Sequence, residues 1–122
     1  MTRRIKAYKR GVWAEYLAAL YLVLKGYRIV AMRYKTPVGE IDILACKGKA
    51  LVAVEVKARQ AMEDALESVR PRSRQRIEKA LLQFISMNAP YADYALRFDV
   101  IALCMHWPFS LQHLDNAWQA RS

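Results

Sequence analysis

The sequence predicts a single α/β domain whose elements run α-β-β-β-α-β. Three observations carry that prediction. Apolar residues recur at helical spacing near the N-terminus and again near residue 80; two apolar runs flank a glycine-containing turn mid-chain; an alternating apolar stretch lies near residue 100. With 122 residues, 55% hydrophobic and 25% charged, the chain has the size and composition of one globular domain spanning 1–122, able to bury a core of its own.

Residues 1–10, MTRRIKAYKR, read as a basic, flexible N-terminal arm. Over residues 11–25, Trp13, Tyr16, Leu17, Leu20, Val23 and Leu24 fall at helical spacing, and Gly26 ends the helix. Residues 27–34 read as a strand with Tyr27, Ile29 and Ala31 on one face. Pro37-Val38-Gly39 is a turn. Residues 40–46 and 50–58, joined by Lys47-Gly48-Lys49, form a β-hairpin. The polar stretch 59–76, which contains Pro71, reads as a loop leading into a helix over 75–88, where Ile77, Ala80, Leu81, Phe84 and Ile85 form the apolar stripe. Leu96, Phe98, Val100 and Ala102 alternate along a strand over 96–103, and the tail from His106 has room for a short final strand.

Charge narrows the choice of partner. Twenty Lys and Arg against eleven Asp and Glu give +9, which favours a polyanion, nucleic acid before an anionic membrane. Cys46 and Cys104 sit in apolar runs with no C-x-x-C pair, so they are expected as thiols in a reducing compartment. His106 and His113 lack ligand spacing, which argues against a His/Cys zinc site. The basic start and the apolar stretch over 12–24 resemble a leader peptide. But Glu15 interrupts that stretch, Lys25-Gly26 closes it, no small-x-small cleavage site follows, and it is too short to span a bilayer. A cytoplasmic protein is expected.

The hairpin carries the chemistry. A two-residue Gly48-Lys49 loop with glycine first suits a type II′ turn. That turn sets Lys47 opposite Ala50, Ala45 opposite Val52, Ile43 opposite Val54 and Ile41 opposite Val56. The other face then pairs Asp42 with Glu55 and Glu40 with Lys57. Directly opposed residues have Cβ atoms about 5 Å apart. Two carboxylates so placed repel each other, and a divalent cation with oxygen ligands relieves the repulsion. A lysine beside such an ion suits phosphodiester chemistry, where charge develops on oxygen. The same residues also fit a plainer pattern, in which Lys57 and Arg59 neutralise Glu40 and Glu55 as strand-edge ion pairs. A register slip of one residue would send Asp42 to the opposite face. Glu15, in the first turns of the first helix, is either a helix-dipole partner or a third acid pointing at the same place.

Gly39-Glu40-Ile41-Asp42-Ile43-Leu44 followed by Val54-Glu55-Val56-Lys57 resembles the PD-(D/E)xK nuclease signature. With Ala14-Glu15, Thr36 to Asp42 and Arg97-Phe98-Asp99-Val100, the set resembles the YraN-like family of uncharacterised bacterial proteins over roughly residues 9–117. That family is similar to archaeal Holliday-junction resolvases. The resemblance implies a restriction-endonuclease-like core with a mixed central sheet flanked by helices. It implies a Mg²⁺- or Mn²⁺-dependent endonuclease acting on DNA phosphodiesters, including branched or structured DNA of the kind met in repair or recombination. Carried over by position, Asp42, Glu55, the Val56 carbonyl and Glu15 would hold the metal, and Lys57 would orient or activate the attacking water. Homodimers would also be expected, because a junction presents two scissile sites. An alternative on the same scaffold is a catalytically idle or partner-dependent nucleic-acid-binding module. This chain departs from the family at Arg33-Tyr34-Lys35 and at Ser73, which stands where a lysine is usual.

Two basic clusters are candidate backbone contacts: Lys6, Lys9 and Arg10 before the first helix, and Arg70, Arg72, Arg74, Arg76 and Lys79 at the second. A solvated surface would look the same in sequence. No base-reading motif is visible, so recognition by nucleic-acid shape is expected. Trp13, Tyr34, Trp107 and Trp118 are either base-stacking residues or core.

Overall fold

The computed structural model describes residues 3–59, 71–104 and 106–118, with side chains from residue 11 in the first helix and from residue 73 in the second. Among the described residues, two helices, a short 3₁₀ turn and five strands follow in the order α1 (Arg3–Leu24), β1 (Arg28–Thr36), β2 (Gly39–Lys47), β3 (Ala50–Arg59), α2 (Pro71–Met87), the 3₁₀ turn (Ala89–Tyr91), β4 (Ala95–Cys104) and β5 (Ser110–Trp118). The strands form one mixed sheet in sequence order. β1, β2 and β3 are antiparallel neighbours, β3 and β4 are parallel, and β5 returns antiparallel to β4. This is a mixed α/β fold compatible with the expected α-β-β-β-α-β core, extended by an edge strand of nine residues where only a short tail strand was expected.

The sheet is buried on both faces, which is why β3 reads as a nearly continuous apolar run and does not alternate. Ile43, Ala45, Val52, Val54, Ile101 and Leu103 pack under α1. Leu44, Leu51, Ala53, Phe98 and Val100 pack against Ile77, Ala80, Leu81 and Phe84 of α2. The ring of Trp118 stacks on Phe98, centroids 5.2 Å apart, and pins the end of β5 to this second core.

Several boundaries differ from the sequence expectation. α1 begins at Arg3, so residues 3–10 continue the helix; Arg, Lys, Ile and Ala there are ordinary helix formers. α2 begins at Pro71, because proline is well tolerated at the first helical position, where its missing N–H has no partner to lose. A β-bulge between Ile29 and Ala31 breaks the alternation of β1, so Ala31 joins the α2-side core while Tyr27 and Ile29 join the α1 side.

The largest difference concerns α1. Its buried face is Ala14, Ala18, Ala19 and Leu22, and Trp13, Tyr16, Leu17, Leu20, Val23 and Leu24 are exposed. Small side chains let the helix axis approach the sheet closely, and the large stripe is turned outward. No helix among the described residues is long and apolar enough to cross a membrane.

Candidate functional site

The Gly48-Lys49 turn behaves as expected. Gly48 has φ +59, while Lys49 is not left-handed, as a type II′ turn requires. Lys47 pairs with Ala50, Ala45 with Val52 and Ile43 with Val54. The pairing between β2 and β3 then stops. Beyond it, the Val56 N–H donates to Asp42 Oδ2 at 2.9 Å, so a side-chain carboxylate takes the place of a strand carbonyl. Ile41 and Ile43 contribute to opposite core layers although they lie two positions apart, so strand alternation also breaks at Asp42. The two strands separate where the acids lie.

Glu55 is mostly buried, with 12% of its side chain exposed. Burial, then a hydrogen bond shared with the Asp42 carboxyl and repulsion from its charge, push Glu55 up to about 9, against the pull of Lys57. Glu55 is therefore held in its protonated form at neutral pH, facing Asp42. Lys57 Nζ lies 3.6 Å from Glu55 Oε1, so of the two acids that the strand-edge pattern offers the lysine, it pairs with Glu55.

Glu15 reaches the same region from α1. With Val56 and Lys57 it lines a cleft of about 170 Å³. Arg33 Nε donates to Glu15 Oε1 at 2.6 Å. Burial raises the Glu15 pKa; Arg33 opposes the shift, and the charges of Asp42 and Glu40 add to it. Arg33 stands out in the sequence only as part of the Arg33-Tyr34-Lys35 departure; its pairing with Glu15 is not legible there, because its placement depends on a left-handed backbone, φ 53, within β1.

The structure thus brings together Asp42, Glu55, Val56 and Lys57, with Glu15 at the rim. Among the described residues, no group of three or more His, Cys, Asp or Glu side chains is close enough to cage an ion. The donors the structure brings together are the carboxylates of Asp42 and Glu55, both hard oxygens. Their chemistry fits Mg²⁺ or Mn²⁺ with water completing the shell.

The basic residues separate. Arg76 and Lys79 are exposed on α2. Arg74 is not offered to solvent in the same way: its guanidinium lies 5.4 Å from the centre of the Trp118 ring. Lys6, Lys9, Arg10 and Arg72 are helical, with side chains outside the described residues, and Arg70 lies outside them altogether. Gly39 ties α2 to the site. A Cβ there would lie 1.8 Å from the Arg76 carbonyl oxygen, so only glycine lets the first turns of α2 rest on the start of β2, three residues from Asp42.

A second polar cluster was only half visible in the sequence. Asp99, fully buried, accepts from Arg97 Nε and Nη2 at 2.9 Å each, from His113 Nε2 at 2.7 Å and from the Asn116 N–H at 2.9 Å. Burial works to raise the Asp99 pKa, but the bonds from His113, Arg97 and Asn116 prevail and hold it below the usual carboxylate value. Arg97 also donates to the Tyr27 hydroxyl. Arg97 and Asp99 share a strand face, which the Arg-Phe-Asp spacing displays. His113 joins through the β4–β5 pairing, which local sequence does not reveal.

Comparison with known proteins settles the kinship. The profile of the Uncharacterised protein family UPF0102 matches residues 14–103. The chain belongs to the UPF0102, or YraN-like, family. It is 47% identical to a UPF0102 protein of Rhizobium meliloti strain 1021, with 96% of this chain and 94% of the relative aligned. It is 45% identical to one from Mesorhizobium japonicum, covering 98% and 94%, and 44% identical to one from Caulobacter vibrioides, covering 96% and 92%. The matched UPF0102 region includes Glu15, Asp42, Glu55, Lys57, Arg97 and Asp99 and ends before β5.

Proposed function

We propose that this protein is a Mg²⁺- or Mn²⁺-dependent endonuclease that hydrolyses DNA phosphodiesters, acting on branched or structured DNA in the cytoplasm. The observation that supports this reading most directly is the meeting of the Asp42 and Glu55 carboxyls beside Lys57, where β2 and β3 part. Such a pair is a liability in an idle protein, because each buried carboxylate must be neutralised. Asp42, Glu55 and the Val56 carbonyl would hold the ion, which when bound supplies Lewis acidity to a phosphoryl oxygen and to water. Lys57, 3.6 Å from Glu55, stands ready to orient a water or to neutralise charge growing on the scissile phosphate. Glu15, held by Arg33, borders the cleft and positions its rim. Arg76 and Lys79 supply backbone contacts without sequence readout.

The test is cleavage of single-stranded, duplex, flap and four-way-junction DNA with either metal. Wild type should cut at least one of these. Asp42→Ala and Lys57→Ala should lower the rate by at least about a hundred-fold, the scale of losing one positioned catalytic group, while circular dichroism stays unchanged. A wild type inert on all four substrates would sink the enzymatic reading.

One observation favours a second reading, an idle or partner-dependent DNA-binding module. Lys57 and Glu15 are each already engaged, by Glu55 and Arg33. Metal-independent junction binding with a steep salt dependence, and no cleavage, would be its signature.

A further inference from the structure

We infer that the outer face of α1, together with the β4–β5 connection, is the surface through which two copies of this chain associate.

Between residues 13 and 24 the chain carries one charged residue, Glu15, and it faces the sheet side. The outer arc, Trp13, Tyr16, Leu17, Leu20, Val23 and Leu24, is wholly uncharged over about three turns of helix. In a chain with 25% charged residues, a solvent-facing helix surface would be expected to carry several charges. Trp13 is 64% exposed and Leu24 78%.

The patch continues beyond the helix. Leu17 and Phe109 line one apolar groove of about 350 Å³ with Leu103 and Leu111. Trp107, 78% exposed, stands edge-on to Phe109 with ring centres 5.7 Å apart. From their exposed fractions, these eight side chains offer about 1,000 Å² of apolar surface. The largest patch on an ordinary monomer is roughly 300–600 Å², and a stable dimer buries about 800 Å² per partner.

Size alone admits several occupants, and one feature selects a second copy. The same patch holds both projecting rings, Trp13 and Trp107, and an apolar groove able to receive a ring, as a two-fold interface requires of one surface. Lys9 and Arg10 precede the stripe and Lys25 follows it, so an anionic membrane is the competing occupant, and the vesicle experiment below separates it from a second copy. This surface is independent of the catalytic reading, since Glu15 and the acids lie on the other side of α1. Pairing through α1 would fix two copies of the site in one rigid body.

Sedimentation velocity of the full chain between about 5 and 100 μM tests the inference. A species of twice 14.1 kDa is expected. Leu20→Glu and Trp107→Ala should each weaken the dimer by roughly thirty-fold or more, as hot-spot losses do, with the circular dichroism spectrum retained. Leu24→Glu serves if either variant fails to fold. Acrylamide quenching should increase on dilution as Trp13 and Trp107 become exposed. A wild type that stays monomeric at 100 μM overturns the proposal. So does a dimer indifferent to all three substitutions, or a monomer that co-sediments with phosphatidylglycerol vesicles.

Discussion

Metal binding at Asp42 and Glu55 should expel a proton, and the geometry specifies how much at each pH. Glu55 is pushed up to about 9, first by burial and then by Asp42. At pH 7 it is therefore ionised in only about one molecule in a hundred. A cation that takes both carboxylates must displace close to one proton, so affinity should tighten about ten-fold per pH unit from pH 6 to 8 and level off above about 9. Titration of Mn²⁺ by calorimetry, in buffers of different ionisation enthalpy, counts the protons directly. The stability of the metal-free protein should obey the same linkage. Because the folded pKa lies above the unfolded one, the contribution of Glu55 is fully present below about pH 4.5 and is lost as pH rises toward about 9. Metal should restore it, and Glu55→Gln should flatten the profile. In Asp42→Asn, Glu55 should fall but stay above an ordinary carboxylate, since burial remains. Metal affinity that is flat from pH 6 to 8, with no proton released, would refute the protonated Glu55 and with it the case for the metal.

Three further outcomes follow from particular contacts. Gly39→Ala should cost about 3 kcal/mol or more in urea unfolding, the upper range for overpacking, because the clashing Arg76 oxygen belongs to backbone and cannot swing away; a change under about 0.5 kcal/mol, the scale of an ordinary surface substitution, would contradict the close approach. Asp99→Ala should cost about 3 kcal/mol at neutral pH, since it strands Arg97, His113 and the Asn116 N–H. The Asp99 contribution is present above the ordinary carboxylate pKa and is lost as pH falls through its lowered value, so the penalty should shrink in acid. For DNA binding, Arg76→Ala and Lys79→Ala should each reduce the salt slope of log K by roughly one. Arg74→Ala should instead lower the thermal midpoint and leave the slope, because its guanidinium is spent on Trp118.

What the sequence disclosed was whatever local period controls. The II′ turn fixed the hairpin register as far as Ile43 and Val54, and that placed Asp42 near Glu55 before any coordinates. The end of the ladder was not legible, because it depends on the Asp42 carboxylate capturing the Val56 N–H across two strands. The orientation of α1 was not legible either. Its sequence holds two apolar stripes, one small and one large, and periodicity favours the large one, whereas packing against a flat sheet selected the alanines. His113 joined Asp99 only through the pairing of β4 with β5.

Three features break the usual sorting of polar and apolar groups: a fully buried Asp99, a nearly buried Glu55 and an exposed apolar stripe on α1. Local rules that fail without compensation tend to mark function. Asp99 is compensated internally, by four hydrogen bonds from Arg97, His113 and Asn116, and so reads as a structural pin joining β4 to β5. Glu55 is compensated only in part: Lys57 stands 3.6 Å away, and the remaining balance is struck by holding a proton against Asp42. The α1 stripe is covered by no described residue. The order of those three deficits is the reason to seek a cation between Asp42 and Glu55 and a second chain on α1, and to expect neither at Asp99.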